Sequence, residues 1–332
     1  MSGSDLRVLV TLPCGLREDF FAAEARRRLE SLADVDYNGS DDQFTPDELA
    51  DRLSGVDAVV TGWGTPEFTA EVLADAADLE LLAHTGGSVA TYASDPLYDR
   101  GVTVCSANRP MARFVAELTM AHVLGSQRGL VGAHESIRAG EYESIRPGRT
   151  LLGGTVGLVG LGTVGRYLLA LLAPFDVDVR LYDPYVPPVE VAEYGFVEKT
   201  TLEGALDAEV VSIHASRTPE TVGMIGAEEL AAIPDGALLV NTARAELVDR
   251  EALQEALSSG RIRAALDVHH EEPLPGDSPL RDLENVQLTP HLGGHGPHEV
   301  FAETMVEEVE RYFGGRALQH EIPREQADLM TR

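Results

Sequence analysis

The stretch Gly157 to Arg166 limits the fold of this chain more than any other. It holds a Gly-x-Gly-x-x-Gly pattern at Gly160, Gly162 and Gly165. Glycine is common here, 32 of 332 residues, so the spacing alone says little and the flanks decide. Thr155 to Val159 is a short, partly β-branched apolar run that reads as a buried strand. Val164 to Phe175 reads as a helix with Tyr167, Leu168, Leu171 and Leu172 on one apolar face. In such a unit the first glycine allows a tight turn, and the second lets a pyrophosphate approach the backbone. The third lets helix pack on strand, and the helix N-terminus offers its free N–H groups to phosphate. A second strand, Val177 to Tyr182, ends in Asp183, 18 positions after Gly165. A dinucleotide fold needs a carboxylate there for the ribose hydroxyls. A glycine turn that only packs would leave strand, helix and acid together unexplained.

The rest of the chain alternates in the same way. Residues 6–12 read as a strand and Asp19 to Leu32 as a helix whose Arg26-Arg27-Arg28 run is a solvated face. Thr45 opens a helix through Leu53, with Pro46 at its first position and Glu48 completing a capping box. Val56 to Thr61 and Leu79 to His84 read as strands, each followed by a glycine loop, and Thr69 to Ala77 as the helix that joins them. Val102 to Cys105 is a further strand. Pro110 to Arg128 is a long helix, apolar around much of its circumference, and Gly140 to Arg149 is polar and irregular. Beyond Asp183 come strands Val210 to His214, Ala237 to Asn241, Ala264 to Val268 and Val286 to Leu288. Helices are predicted at Ala227 to Ala232, Arg250 to Ser258 and Pro297 to Phe313. Alternating strand and helix predicts parallel, doubly wound α/β sheets with ligands at the carboxyl ends of strands, and the length suits two domains.

Charge narrows the partners. The chain carries 26 basic and 55 acidic residues, net −29, and one lysine, Lys199. Such a surface repels nucleic acid and anionic membranes. It also repels itself unless salt screens it, which points to adaptation to high internal salt. A GC-rich genome would explain the scarcity of lysine and, less well, the acid excess. No apolar run reaches the ~18 residues that span a bilayer. The first 19 residues lack the pattern of a signal peptide, and Cys14 and Cys105 make no disulfide framework, so a cytoplasmic setting is expected.

Six motifs in order resemble the D-isomer-specific 2-hydroxyacid dehydrogenase family. These are Gly160-x-Gly162-x-x-Gly165-Arg166, Tyr182-Asp183-Pro184, Val211-Ser212-Ile213-His214 and Asn241-Thr242-Ala243-Arg244. They continue with Ala265-Leu266-Asp267-Val268 followed by Glu271-Glu272-Pro273, and Thr289-Pro290-His291-Leu292-Gly293-Gly294. The resemblance implies a Rossmann NAD domain, 103–292, inserted into a flavodoxin-like substrate domain, 1–102 plus 293–332, with a cleft between. It also implies a homodimer through the NAD domain, which would give Pro110 to Arg128 a role.

The resemblance assigns the chemistry as well. His291 would be the acid for a carbonyl oxygen, since an imidazole exchanges protons near neutrality. Glu272 would hold its ring and favour the protonated form. Arg244, a planar fixed cation, would polarise a keto acid. Singly, each residue has a plainer role in a loop or at a strand end. The backbone of Gly86, Gly87, Ser88 and Val89 would grip the carboxylate as an anion nest. Trp63 either walls the substrate side-chain pocket or packs as an aromatic between domains. Thr163 and Val164, with the three motif glycines, would take the pyrophosphate. His214, Ser216, Thr242, Ala243, Arg244, His291, Gly293 and Gly294 would line the path to the nicotinamide, and Asp267 would bond its carboxamide. Asp183, with no arginine after it, favours NAD over NADP.

Departures from the family pattern stand at His84, Ala90, Thr91, Ser216, His269, His270 and His295. The clusters His269-His270-Glu271-Glu272 and His291-x3-His295-x2-His298 look like ligand sets, but Glu272 and His291 already have roles and no metal is expected. The expected activity is NAD-dependent reduction of a small 2-oxo acid. A phosphorylated substrate is disfavoured by the lack of cationic loops, and the long phosphoglycerate dehydrogenase form by the lack of a C-terminal extension. A non-enzymatic NAD(H)-sensing protein of the corepressor type is the alternative from another class. A formate- or phosphite-type dehydrogenase has no specific support.

Overall fold

The computed structural model describes residues 6–142 and 148–331. Part of the stretch expected to be irregular, 143–147, lies outside the described residues, as do residues 1–5 and 332. The chain divides into two compact units, Met1–Met111 with His295–Arg332, and Ala112–Gly294. The first crossing falls inside the helix Asn108–Arg128, which belongs to the second unit from Ala112 onward.

The first unit is built on five parallel strands: β1 (Arg7–Val10), β2 (Asp34–Tyr37), β3 (Ala58–Thr61), β4 (Leu81–His84) and β5 (Thr103–Ser106). Their order is β2-β1-β3-β4-β5, the flavodoxin-like order, with its switch point between β1 and β3. Central strands buried on both sides lack polar alternation, and Ala58, Val59, Val60, Leu81, Leu82 and Ala83 are each fully buried. One face packs Leu9, Val59, Leu82 and Val104 against Leu49, Phe68, Leu73 and Leu97. The helix Glu299–Phe313 packs against β4 and β5 through a face that includes Phe301, Ala302, Met305 and Val309.

The second unit carries seven parallel strands: β6 (Thr155–Val159), β7 (Asp178–Tyr182), β8 (Val197–Lys199), β9 (Val210–Ile213), β10 (Leu238–Asn241), β11 (Arg263–Leu266) and β12 (Val286–Leu288). Their order, β12-β11-β10-β9-β6-β7-β8, is that of a Rossmann sheet with a seventh strand, and it reverses between β6 and β9. Val156 and Leu158 face one core layer with the helix Thr163–Leu172, and Val159 faces the other. Gly157 faces the second layer too, where a Cβ would stand 1.8 Å from the Ala205 carbonyl oxygen, so the backbones there touch.

The structure corrects several sequence expectations. The helix predicted over Asp19 to Leu32 is two, Cys14–Phe20 and Ala23–Leu32, divided where Phe21 turns extended. Of the arginine run only Arg27 is solvated. Arg28 pairs with Glu310 at 2.7 Å, and Arg26 lies over the Tyr37 ring. Thr69 to Ala77 is a run of turns, because after one bond from Leu73 N–H to Thr69 the next bonds, Ala74 to Glu71 and Ala76 to Leu73, span only three residues. The glycine-loop helix stops at Leu172, ahead of Pro174, and finishes as a 3-10 turn. Its fully buried side is Gly165, Leu168, Leu169 and Leu172, with Tyr167 and Leu171 half-buried.

Candidate active site

In the second unit the chain leaves β6 through Gly160, at φ +97°. A Cβ there would stand 2.6 Å from the Ala215 nitrogen, so this position requires glycine twice over. A Cβ at Gly165 would stand 2.8 Å from the Gly160 carbonyl oxygen, which is how the helix comes so near the strand. Gly162 differs. A Cβ there would point into open space, and its N–H takes no partner among the described residues. The helix Thr163–Leu172 opens immediately after it, with first-turn N–H groups that have no intrahelical partner. Open space, a free donor and a helix start at the sheet's switch point fit a pyrophosphate.

Asp183 closes the far side of this loop. Its Oδ2 accepts the Leu161 N–H at 2.7 Å, and its Oδ1 accepts those of Tyr185 and Val186 at 2.8 and 3.1 Å. The carboxylate thus shapes the loop as well as facing it. His214 follows β9. Its Nε2 is 2.8 Å from Ser212 Oγ, and burial pushes its pKa down to about 4, so the ring is neutral. The Ser216 carbonyl accepts the Thr221 hydroxyl, which folds the loop after His214.

Arg244 lies beyond β10 on a turn made by Asn241, whose Oδ1 accepts the Ala243 N–H and whose Nδ2 donates to the Arg244 carbonyl. Burial lowers the guanidinium pKa, the nearby Arg217 charge adds to this, and Glu246 and Glu272 oppose it. The Thr242 hydroxyl is buried and spent on Thr119, 2.8 Å away.

His291 stands at φ +55°, a left-handed conformation for a non-glycine residue. Its Nδ1 is 2.8 Å from Glu272 Oε2, and Glu272 Oε1 accepts the His269 N–H at 2.9 Å. Burial opposes ionisation of Glu272. The His291 and His269 hydrogen bonds and the ring charges outweigh it and hold the carboxyl below the usual range. Asp267 is fully buried, and its oxygens accept from Thr289 Oγ1, Leu292 N–H and Gly293 N–H at 2.6 to 2.8 Å. Most of its accepting capacity is therefore built into the loop that carries His291. The side chains of His269 and His270 donate from Nε2 to the carbonyls of Thr289 and Val248. Among the described residues no group of three His, Cys, Asp or Glu side chains is arranged to hold a metal ion.

In the first unit, Gly86, Gly87, Ser88 and Val89 follow β4. Their four N–H groups take no partner among the described residues. The Ser88 hydroxyl donates to the Thr331 carbonyl at 2.6 Å, which fixes the loop. His84 is buried beneath it, bonded from Nδ1 to Thr61 Oγ1 at 3.0 Å, and burial pushes its pKa down to about 3. Trp63 presents Nε1 to this loop, 3.0 Å from where a Gly86 Cβ would stand, and meets Phe20 and His298 edge-on. Its packing partners thus lie within its own unit.

Sequence reasoning passed over Thr119, His122 and Gln127, three buried polar residues on the long helix taken as apolar. Their spacing on one helix was the available signal.

Residues 120–293 match the family model for the D-isomer specific 2-hydroxyacid dehydrogenase, NAD binding domain. The chain is 36% identical over 292 residues to the D-3-phosphoglycerate dehydrogenase of Methanocaldococcus jannaschii, covering 87% of this chain and 53% of that protein. It is 33% identical over 273 residues to the hydroxypyruvate reductase of Thermotoga maritima, covering 80% of this chain and 87% of that one. A solved structure, the TT0316 protein of Thermus thermophilus, superposes with a TM-score of 0.76 at 32% identity, covering 96% of this chain and 100% of that chain. The chain belongs to the D-isomer specific 2-hydroxyacid dehydrogenase family, and Ala112–Gly294 is its NAD-binding unit. It spans about half the length of the curated D-3-phosphoglycerate dehydrogenases it matches.

Proposed function

We propose that this chain is an NAD-dependent oxidoreductase that interconverts a small 2-oxo acid and its D-2-hydroxy acid. The observation that carries this is the Glu272–His291 pair, 2.8 Å apart in the same unit as an open dinucleotide loop. Bound NADH supplies the hydride. Glu272 takes the Nδ1 proton of His291 as a hydrogen bond, which leaves Nε2 to give a proton to the carbonyl oxygen as its carbon is reduced. Arg244 polarises that carbonyl. Within the first unit, the unpartnered N–H groups of Gly86–Val89 form an anion nest of the kind that takes a carboxylate. Thr163, Val164 and Gly162 hold the pyrophosphate, and Asp183 the ribose in preference to a 2′-phosphate. His214, Ser216, Thr242, Ala243, Gly293 and Gly294 line the rest of the cofactor path. Asp267 Oδ2, which accepts one hydrogen bond in the structure, is the atom proposed to bond the carboxamide.

The relatives are dehydrogenases and reductases by name, so a non-enzymatic sensor is not favoured. A homodimer through the NAD-binding unit is supported by the helix Leu130–Ala139, which buries no residue and exposes Leu130, Val131 and Ile137. Two free cysteines suit a cytoplasmic setting, and among the described residues no helix is long and apolar enough to cross a membrane.

The test is NADH consumption in molar KCl against glyoxylate, hydroxypyruvate and pyruvate, with NADPH alongside. Turnover with NADH preferred supports the proposal; NADH binding with no turnover on a broad panel of 2-oxo acids overturns it.

A further inference from the structure

The helix Asn108–Arg128 brings one histidine, His122, into the second unit's interior, and the proposed chemistry makes no use of it. We propose that His122 is a positioning residue for His291, acting through Thr289 and Asp267. This rests on His291 being the proton donor.

The direction of each hydrogen bond follows from the donor inventory. The Thr289 hydroxyl gives its hydrogen to Asp267 Oδ1 across 2.6 Å. The Thr289 oxygen is then the acceptor for His122 Nε2, 3.1 Å away, and His122 must carry its hydrogen on Nε2. Burial lowers the His122 pKa against the opposing pull of Asp267 and Gln287. Asp267 passes the constraint on. Its carboxylate accepts the N–H groups of Leu292 and Gly293, and its carbonyl accepts the His291 N–H at 2.8 Å. A non-glycine residue at φ +55° is strained and persists only where its surroundings fix it. Those three bonds are the fixing. His269 holds the same loop from the other side, bonded to the Thr289 carbonyl by its ring and to Glu272 by its N–H. His122 is thus the buried end of a chain that orients both members of the Glu272–His291 pair.

The test uses the full chain with His122→Leu, His122→Gln, Thr289→Val and Thr289→Ser. With turnover in hand, His122→Leu is expected to lower kcat about tenfold with the NADH dissociation constant within about twofold of wild type. His122→Gln, whose amide can donate in place of Nε2, recovers most of the loss. Thr289→Val behaves as His122→Leu, and Thr289→Ser as wild type. A packing role alone would give Leu and Gln variants the same kcat, and that result overturns the proposal, as does wild-type kcat in His122→Leu. If His122→Leu does not fold, equal kcat in the two Thr289 variants overturns it. Amide hydrogen exchange needs no substrate. The Leu292 and Gly293 N–H groups should exchange faster in Thr289→Val than in Thr289→Ser; equal exchange overturns the proposal whether or not the chain turns over any oxo acid.

Discussion

Glu272 Oε2 and His291 Nδ1 lie 2.8 Å apart although 19 positions separate them in the chain. Both side chains are about two-fifths exposed, so the pair contributes little stability and its effect is orientation of the ring. Glu272→Gln keeps an acceptor but loses the charge. It is expected to lower kcat about 10- to 100-fold while the chain melts as wild type. Steady-state kinetics with thermal melts checks this; an unchanged kcat contradicts it.

The three motif glycines should separate by experiment. Gly160→Ala and Gly165→Ala drive a Cβ to within 2.6 and 2.8 Å of backbone atoms and should destabilise the NAD-binding unit. Gly162→Ala meets nothing and should melt normally, yet weaken NADH binding at least about tenfold. Melting curves beside NADH fluorescence titrations decide it. Normal NADH binding by Gly162→Ala would contradict the assignment of that open space to the cofactor.

That glycine loop was legible because its demands are local: a turn, a close approach, a strand before it and a helix after it. The Thr45 capping box was legible for the same reason, and both its reciprocal bonds are formed. The edge strands β2 and β8 were not. Asp34–Tyr37 and Val197–Lys199 mix charged with apolar residues because each has a neighbour on one side only. The helix Leu130–Ala139 was missed because it buries nothing and so shows no apolar stripe against a core. At the site, Arg244, Glu272 and His291 were named through the family resemblance. Nothing in their spacing shows that Glu272 would meet His291. His122 was hidden because pairing with Thr289 is a contact across 167 positions.

Acid should weaken the fold through buried His84 and half-buried His214. His84 and His214 have pKa values pushed down to about 3 and about 4 from an unfolded value near 6.5. Between those limits the unfolded chain binds protons that the folded chain does not, so stability rises with pH across that window and is lost as pH falls below about 6.5. Each group contributes about 1.4 kcal/mol per pH unit there. Melting temperature measured from pH 7 to pH 5 should fall less steeply in His84→Gln than in wild type. Parallel curves would contradict this assignment for His84.

Salt should stabilise the chain. With a net charge of −29, mutual repulsion is screened within about 10 Å at 0.1 M and within about 3 Å at 1 M. Melting temperature should rise as KCl is taken from dilute buffer to molar concentrations. A flat or falling curve would remove salt adaptation as the explanation of the acidic surface.

The most direct measurement of the central claim is turnover of a 2-oxo acid by wild type and by His291→Asn, with NADH binding followed separately. The account predicts a wild-type rate that falls about 10²- to 10⁴-fold in the variant while NADH binds both equally. Equal turnover in the two proteins would contradict the assignment of His291 as the proton donor.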